Sequence, residues 1–374
     1  MIERRTFLAQ LGATLAAGMA AGSARGGILP PVFISAAMRS SDRDGAAVNA
    51  FDLDGRLLFS TRLPERGHDA TARPHAAEIV VFARRPGNWA AVIDRATGTV
   101  RQVITSPPGR HFFGHGAFSP DGRLLYATEN LIATGEGVLG IYDAAAGYLR
   151  VGEMPTHGLG PHDLGLLPDG AMLVANGGTR TQPETGREIL NPDSMRPSLA
   201  VVDLEGGEPR HVVELGRNLR GLSIRHLAIA SDGQAAFACQ WEGSPDEGPP
   251  LVGLFDPEAG ARFLDMPEDD LAALDNYVGS VALSAGESLI AATSPKGGTV
   301  AFWDRASRRY LGRKRLPDVC GVAPALGQPS GSELFVVTSG HGGAYLAGAG
   351  PRGPDRFGDA ALGREAWDNH VLAL

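Results

Sequence analysis

The sequence predicts an all-β protein, a seven-bladed β-propeller closed by a C-terminal strand that completes the N-terminal blade. Three observations lead to this fold. Glycine and proline are abundant, at 51 and 26 of 374 residues, whereas only 20% of the residues are charged. Short apolar runs alternate with Asp-Gly turns, which is typical of antiparallel sheets. The whole pattern recurs about every 40–50 residues, which is the length of a four-stranded propeller blade.

The repeating unit has two recognisable parts. In the first, two short strands flank a tight turn, as at Asp121-Gly122 and Asp169-Gly170. Asp-Gly between apolar runs indicates a β-hairpin, because glycine accepts the backbone angles of such turns. The second part is an apolar run that ends in aspartate, usually with a glycine shortly after it. We therefore expect four antiparallel strands in each blade, called a to d from the central channel outwards. The runs that end in aspartate are residues 48–52, 91–94, 139–143, 199–203, 251–256 and 300–304.

The blade count follows from the expected starts of strand a, near residues 68, 115, 162, 226, 280 and 321. The first repeat, residues 32–63, supplies strands b to d and lacks strand a. The last residues, 369–374, have the pattern of a lone strand a, so we predict that they complete the first blade. Closing the ring in this way removes the open sheet edges that invite aggregation. Residues 177–197 are an insertion between strands b and c of the fourth blade, polar enough for a surface loop.

The first 24 residues are predicted to be an export signal. Two arginines and a Phe-Leu pair within residues 4–8 precede a mildly apolar run over residues 11–21 and small residues at 22–24. This order resembles the twin-arginine (Tat) signal of proteins exported in the folded state. A Sec signal is the rival, and a membrane anchor is disfavoured because about 20 strongly apolar residues are needed to span a bilayer. We expect cleavage after Ala24, a single propeller domain over residues 25–374 without a membrane span, and a periplasmic location.

Charge and cysteine content narrow the classes of partner. The net charge is −8 at pH 7 and the chain has no basic run. A net negative charge argues against binding to nucleic acid or to anionic membrane surfaces. Cys239 and Cys320 are the only cysteines. They could pair in an exported protein, but two buried free thiols fit the sequence equally well.

Half of the ten histidines fall at one structural position, the start of strand a. His68, His115 and His162 are spaced 47 residues apart, one blade each, and His226 and His370 take the same place in the fifth and first blades. Equivalent residues on successive inner strands encircle the channel, so these five side chains, here called the histidine ring, are expected to meet at one mouth. Neutral imidazole is the commonest ligand of zinc, copper and iron. The sequence therefore predicts a site for a divalent transition metal, with His370 as the least secure member.

Other polar residues are expected on the same face of the propeller. They come from loops that lead into strand a, from turns between strands b and c, and from the position beside His226. Carboxylates there would hold the imidazoles in orientation or serve as bases. His75 and His211, on a turn and on strand d, are expected to do no chemistry. The residues expected to support the ring or to lie at its rim are His111, His157, Glu129, Glu242, Arg225 and Trp241.

Two other interpretations of the ring stay open. Channel histidines are commonly hydrogen-bonded to the backbone or to ordered water, which would make the ring structural. In the other interpretation, the ring binds an anionic organic ligand. Neighbouring imidazoles cannot all be protonated cheaply without a counter-charge. A shared cation would satisfy all of them, and this favours metal.

Several segments resemble a bacterial family of Tat-exported propeller proteins of unknown function, and the resemblance spans essentially the whole mature chain. The genes of that family commonly accompany those of imelysin-type proteins and of a di-haem peroxidase-like protein in iron-responsive clusters. Leu131 departs from the family pattern, where an acidic residue is expected, and leaves the third-blade turn less able to add a carboxylate. The matching segments are residues 65–69 (ERGHD), 109–116 (GRHFFGHG), 127–130 (ATEN), 157–162 (HGLGPH), 176–197 and 222–227 (LSIRHL).

The resemblance implies a periplasmic role around iron or another metal and supplies no reaction. Iron is therefore our first choice, with copper or zinc as alternatives. One hypothesis is a metal-binding component of an iron acquisition or iron handling system, with other periplasmic iron-uptake proteins as partners. A second is a metalloenzyme that performs redox or hydrolytic chemistry on a small substrate. A third is a scaffold for protein partners. The sequence names no catalytic residue, so it leaves open whether the protein is an enzyme.

Overall fold

Seven antiparallel sheets make up the structure over the residues that it describes, which are residue 30 and residues 32–39, 45–329 and 331–374. In this structure, a computed structural model, six sheets have four strands and one has five. The predicted all-β, seven-bladed propeller is confirmed. The predicted export signal, residues 1–24, lies outside the described residues and stays a prediction.

The strands follow one another along the chain, blade by blade. The first three blades are formed by β1 (Phe33–Arg39), β2 (Ala46–Phe51) and β3 (Leu57–Arg62), then β4 (Gly67–Ala72), β5 (Glu78–Ala83), β6 (Trp89–Asp94) and β7 (Val100–Thr105), then β8 (Arg110–Phe118), β9 (Leu124–Leu131), β10 (Glu136–Asp143) and β11 (Leu149–Leu159). The fourth and fifth are formed by β12 (Pro161–Leu166), β13 (Met172–Asn176), β14 (Ser198–Val202) and β15 (Pro209–Glu214), then β16 (Leu222–Ile229), β17 (Ala235–Trp241), β18 (Val252–Asp256) and β19 (Gly260–Phe263).

The last two blades and the closing element complete the ring. They are formed by β20 (Ser280–Leu283), β21 (Leu289–Ser294), β22 (Thr299–Asp304) and β23 (Tyr310–Arg315), then β24 (Val319–Pro324), β25 (Phe335–Ser339), β26 (Ala344–Ala347) and β27 (Asp355–Phe357), and finally β28 (Glu365–Trp367) and β29 (Leu372–Ala373). The helical segments are α1 (Glu268–Ala272) and the 3-10 turns Pro183–Thr185, Pro192–Ser194, Arg217–Leu219 and Leu362–Arg364. None of the helices in the described part of the chain is long and apolar enough to cross a membrane.

The apolar core lies between neighbouring blades. Strands b and c are buried along nearly their whole length, as in β5 and β6, whereas the outer strand β15 is almost fully exposed. The aspartate that ends each run fixes the turn from strand c to strand d. The Asp94 carboxylate accepts hydrogen bonds from the backbone N–H groups of Ala96 and Thr97, at 2.9 Å each. This local capping explains why aspartate recurs there, since its short side chain satisfies turn backbone groups.

The C-terminus closes the first blade, as predicted, but over a longer and broken element. β28 pairs with the end of β1 and β29 with its start, with Trp367 opposite Ala37 and Leu372 opposite Ile34. The closing element therefore begins at Glu365. His370 lies in the break between the two short strands, so the expectation that it lies within a strand is wrong. Its carbonyl accepts a hydrogen bond from the Ser35 hydroxyl at 2.6 Å, which holds the break against the blade.

The insertion in the fourth blade lies between β13 and β14, as predicted. It is less of a surface loop than its polar composition suggests, because Thr179, Thr181 and Met195 are buried. The Asn191 side chain ties its two ends together by donating to the Gly178 carbonyl at 3.0 Å and accepting from the Arg180 backbone N–H at 2.6 Å. The two cysteines, in β17 and β24, are free and buried.

Candidate metal centre

The five imidazoles of the histidine ring converge in the central channel. Around the ring, the centroids of neighbouring imidazoles are 4.6 to 5.0 Å apart, and His115 also lies 4.7 Å from His370 across the ring. His68, His115, His162 and His226 are 5% exposed or less. His370 is slightly more open, at 12% of its side chain.

Breaks in the strand register turn these side chains towards the channel. In β4, β8, β12 and β16 the pairing between strand a and strand b shifts at or beside the ring histidine. A bulge of this kind leaves a residue unpaired and re-aims its side chain. Gly114 is needed next to one of them, because its φ of +106° disfavours a side chain and an added Cβ would lie 2.6 Å from Cδ2 of His68.

Several ring nitrogens are buried without a hydrogen-bond partner in the described part of the protein. They are Nε2 of His115, Nε2 of His370, Nδ1 of His162 and both nitrogens of His226. An unsatisfied buried polar atom costs about 1–3 kcal/mol, so a cluster of them is costly unless something fills the space between. Imidazole lone pairs that face one another across a few ångströms are suited to a cation.

Carboxylates lie behind three of the five imidazoles. Nδ1 of His115 is 3.2 Å from Asp69 and 3.3 Å from Asp163. Nδ1 of His68 is 3.5 Å from Asp368, and Nδ1 of His370 is 4.0 Å from Asp69. None of these acids was predicted from the sequence, although Asp69 and Asp163 directly follow ring histidines. Each of the two serves the histidine of the neighbouring blade instead of its own.

These acids shift the pKa of one ring imidazole in the direction opposite to that of the others. Burial alone would lower the pKa of His115, but the charges and contacts of Asp163 and Asp69 outweigh burial and raise this pKa to about 10. For Asp69, burial acts in the opposite direction and would raise the pKa. Its contact with His115 and the charges of the imidazoles outweigh burial and lower this pKa to about 2. Burial lowers the pKa of each of the four other imidazoles, which favours the neutral form that ligates metal.

The donor atoms form two overlapping groups of three. One consists of His68, His115 and His370 and the other of His115, His162 and His226, and within each group the donor atoms lie within 4.8 Å of one another. The ring thus holds two trios that share His115, whereas the sequence suggested one site formed by all five histidines. Three protein nitrogens with further positions open are the ligand set of many catalytic zinc sites.

A small pocket opens directly onto the ring. Arginine side chains dominate its wall together with three ring imidazoles, and the space inside it is very small. Arg225, expected at the rim, is one of them and is paired with Glu242 at 3.0 Å. The residues that line the pocket are His68, Arg84, Arg85, His162, Arg187, Arg225, His226, Gln240, Tyr277 and Asn369.

The other residues expected near the ring have partners elsewhere. His111 lies within β8, not in a loop, and stacks on Phe113, while His157 lies near the end of β11, 2.8 Å from the Gly207 carbonyl. Glu129 is buried in β9, where it accepts hydrogen bonds from Tyr142 and Arg150.

The structure also gives the surroundings of Trp241 and of the two histidines that were expected to do no chemistry. The Trp241 indole donates to the Ser244 carbonyl at 2.8 Å. His75 and His211 are exposed. Sharing one face of the propeller therefore did not bring His111, His157, Glu129 or Trp241 into the wall of the pocket over the ring, because blades are thick and strand residues also point between them.

Comparison with known proteins identifies a family but no activity. The family described as "Protein of unknown function (DUF1513)" matches residues 61–374. No curated protein matches the chain. Among many solved structures with a similar fold is hydrazine synthase from Kuenenia stuttgartiensis, at 15% identity and a TM-score of 0.59, with 86% of this chain and 96% of that chain covered. At this identity the similarity concerns the fold alone.

Proposed function

The chain belongs to the DUF1513 family, and we propose that it binds a divalent transition metal ion at the histidine ring. One observation carries the proposal: five imidazoles meet in a buried channel with several nitrogens that have no hydrogen-bond partner among the residues that the structure describes. A cation shared by three imidazoles would satisfy several of these nitrogens together, whereas each would otherwise need a water molecule of its own. The proposal thus accounts for both the recurrence of histidine and the arrangement of the side chains.

The trio of His68, His115 and His370 is the preferred site. A metal-bound imidazole usually donates its second N–H to a carboxylate, which fixes the tautomer and raises the basicity of the ligand. Nδ1 of each member of this trio lies within 4.0 Å of Asp69 or Asp368. That arrangement leaves Nε2 for the ion, and the acids offset its charge. The second trio has such a carboxylate only behind His115, which makes it a weaker site.

Iron is the metal that we propose first, on the basis of the family resemblance. The chemistry of the ligands also accommodates copper and zinc, and copper binds nitrogen ligands more tightly than Fe²⁺ does. A role in iron acquisition or handling, in the periplasm and beside other iron-uptake proteins, is part of the same proposal. It is supported by the resemblance to an exported family and by the signal-like residues 1–24.

Element analysis of the purified protein tests the metal site directly. We expect wild-type protein to carry a stoichiometric amount of metal and His115→Ala to lose nearly all of it, because both trios share this residue. His211→Ala is the matched control, since His211 is exposed on β15, and should retain the metal. Folded His115→Ala with as much metal as a metal-containing wild type would mean that the ring is not the metal site. A wild type with no metal above background would mean that the channel is structural.

A metalloenzyme is the second candidate, and the pocket over the ring favours it. A three-histidine site leaves coordination positions open, and the pocket would let a small molecule reach them. Turnover of peroxide, ferrous iron or a simple ester by metal-loaded wild type, lost in His115→Ala, would support this function. Absence of turnover with a bound metal would favour binding and transport.

A further inference from the structure

The mouth of the channel over the histidine ring carries an excess of positive charge. Arg84, Arg85, Arg187 and Arg225 line the same small pocket and are here called the arginine mouth. Arg85 lies just after strand b of the second blade, Arg225 in strand a of the fifth blade, and Arg187 in the insertion of the fourth blade. Three separate parts of the chain therefore direct guanidinium groups towards one opening.

Acidic partners neutralise only part of this charge. Arg84 contacts both oxygens of Asp368 at 2.9 Å, and Arg225 contacts Glu242 at 3.0 Å. Within the described residues no carboxylate lies within 4.0 Å of the guanidinium of Arg85 or Arg187. Two guanidinium charges thus remain without an acidic partner at the opening over the ring.

Buried donor atoms of the arginine mouth also lack partners. Nη1 of Arg85 and Nε of Arg225 are shielded from solvent and make no hydrogen bond in the described part of the protein. The Arg225 side chain is only 2% exposed. Burying a charged donor without an acceptor is costly, and native proteins do so mainly where a ligand completes the site.

The arginines also repel one another. Burial, and then the charges of Arg225 and Arg187, push the pKa of Arg85 well below its usual range. An anion bound between these arginines would offset their repulsion and accept hydrogen bonds from their unpartnered N–H groups.

We propose that the arginine mouth binds a small oxyanion, such as a carboxylate or phosphate group, on Arg85, Arg187 and Arg225. The planar donor fork of arginine matches two oxygens of such a group. The narrow space between these arginines admits only a group of a few heavy atoms. The inference deepens the proposed function by naming the class of ligand that would reach the ring metal. Anion binding itself requires only the arginines.

The test uses the full chain stripped of metal with a chelator, titrated calorimetrically with inorganic phosphate and, separately, with acetate. We expect saturable binding of at least one of them by wild type, and binding at least tenfold weaker in Arg187→Ala. Arg187 is exposed, so this variant should fold normally. Arg85→Gln should weaken binding similarly. Arg196→Ala is the control, because Arg196 is exposed in the same insertion but lines a different pocket.

The outcomes separate this inference from the proposed metal site. Failure of metal-free wild type to bind either anion, or equal affinity of Arg187→Ala and Arg196→Ala, would overturn the inference. Anion binding that requires metal, is lost in His115→Ala and is unaffected by Arg187→Ala would place the anion on the metal. That result overturns the arginine mouth and keeps the metal site. Arginine-dependent anion binding by a protein that never takes up metal would keep the inference and reject the proposed function.

Discussion

At the scale of single residues, His115 links the charges of the ring. Its Nδ1 lies between two carboxylates from the neighbouring blades, and it belongs to both trios of donor atoms. The position of Asp163 is itself fixed, because its other oxygen accepts the backbone N–H of Leu227 at 2.9 Å. Acids held in this way orient an imidazole before any metal arrives, which lowers the entropic cost of binding.

The carboxylates behind His115 should therefore control metal affinity. We expect Asp69→Asn to bind Fe²⁺ or Zn²⁺ about 10–100-fold more weakly than wild type, because the ligand loses its orienting, electron-donating partner. Asp163→Asn should act in the same direction. Competition with a chromophoric chelator measures the affinity. Asp246→Asn, a change at an exposed aspartate, is the control and should have no effect. Unchanged affinity in both Asp69→Asn and Asp163→Asn would contradict a role for these acids.

At the scale of elements, the broken strand at the C-terminus has two tasks. β28 and β29 complete the first blade, and the break between them carries Asp368 and His370 to the channel. Trp367 is 1% exposed and packs against Phe51, with ring centroids 5.7 Å apart. Closure of the propeller and assembly of the histidine ring thus depend on one ten-residue segment.

Removing residues 369–374 should destabilise the protein and abolish metal binding together. The deletion removes the pairing of β29 with Phe33 and Ile34 and exposes the apolar side chains of these two residues. We expect the free energy of unfolding to fall by about 3 kcal/mol or more. The midpoint of urea unfolding, followed by circular dichroism, measures the loss. His370→Ala within the intact chain separates the two effects, since it should lower metal affinity with little change in stability. A truncated protein as stable as wild type would contradict closure by this segment.

At the scale of the whole molecule, the propeller places positive and neutral nitrogen donors in layers along one channel. The arginine mouth lies over the ring, and acids from three blades lie behind it. Such a site exists only after all seven blades have closed, because its residues come from the first, second, third, fourth and fifth blades. This dependence on a finished fold agrees with the proposal that the protein is exported folded.

Export should depend on the arginine pair near the N-terminus. We expect Arg4→Lys combined with Arg5→Lys to leave the protein in the cytoplasm, because the Tat pathway requires both arginines. Cell fractionation with immunoblotting measures the distribution. Arg25→Lys, just beyond the predicted cleavage position, is the control and should be exported normally. Normal export of the double variant, abolished instead by loss of Sec function, would reject the Tat route.

The sequence by itself determined the fold and the membership of the ring. A propeller repeats one local pattern, so the turns, the capping aspartates and the recurrence of histidine at the start of strand a could be recognised without a structure. That His370 would belong to the ring could be predicted because the C-terminal residues had to complete the first blade, although it lies in a break between two short strands and not within one. Each of these inferences depends on contacts that are local or fixed by the repeat.

Only the tertiary structure decided which residues of the site contact one another. Asp69 and Asp163 face the histidine of an adjacent blade, and Arg187 reaches the mouth from a long insertion, because side-chain direction depends on bulges and on the angle between blades. The same uncertainty explains why Glu129, expected near the ring, is paired with Arg150 elsewhere. A repeat fixes which residues occupy equivalent positions, whereas contacts between residues far apart in sequence are fixed only when the ring closes.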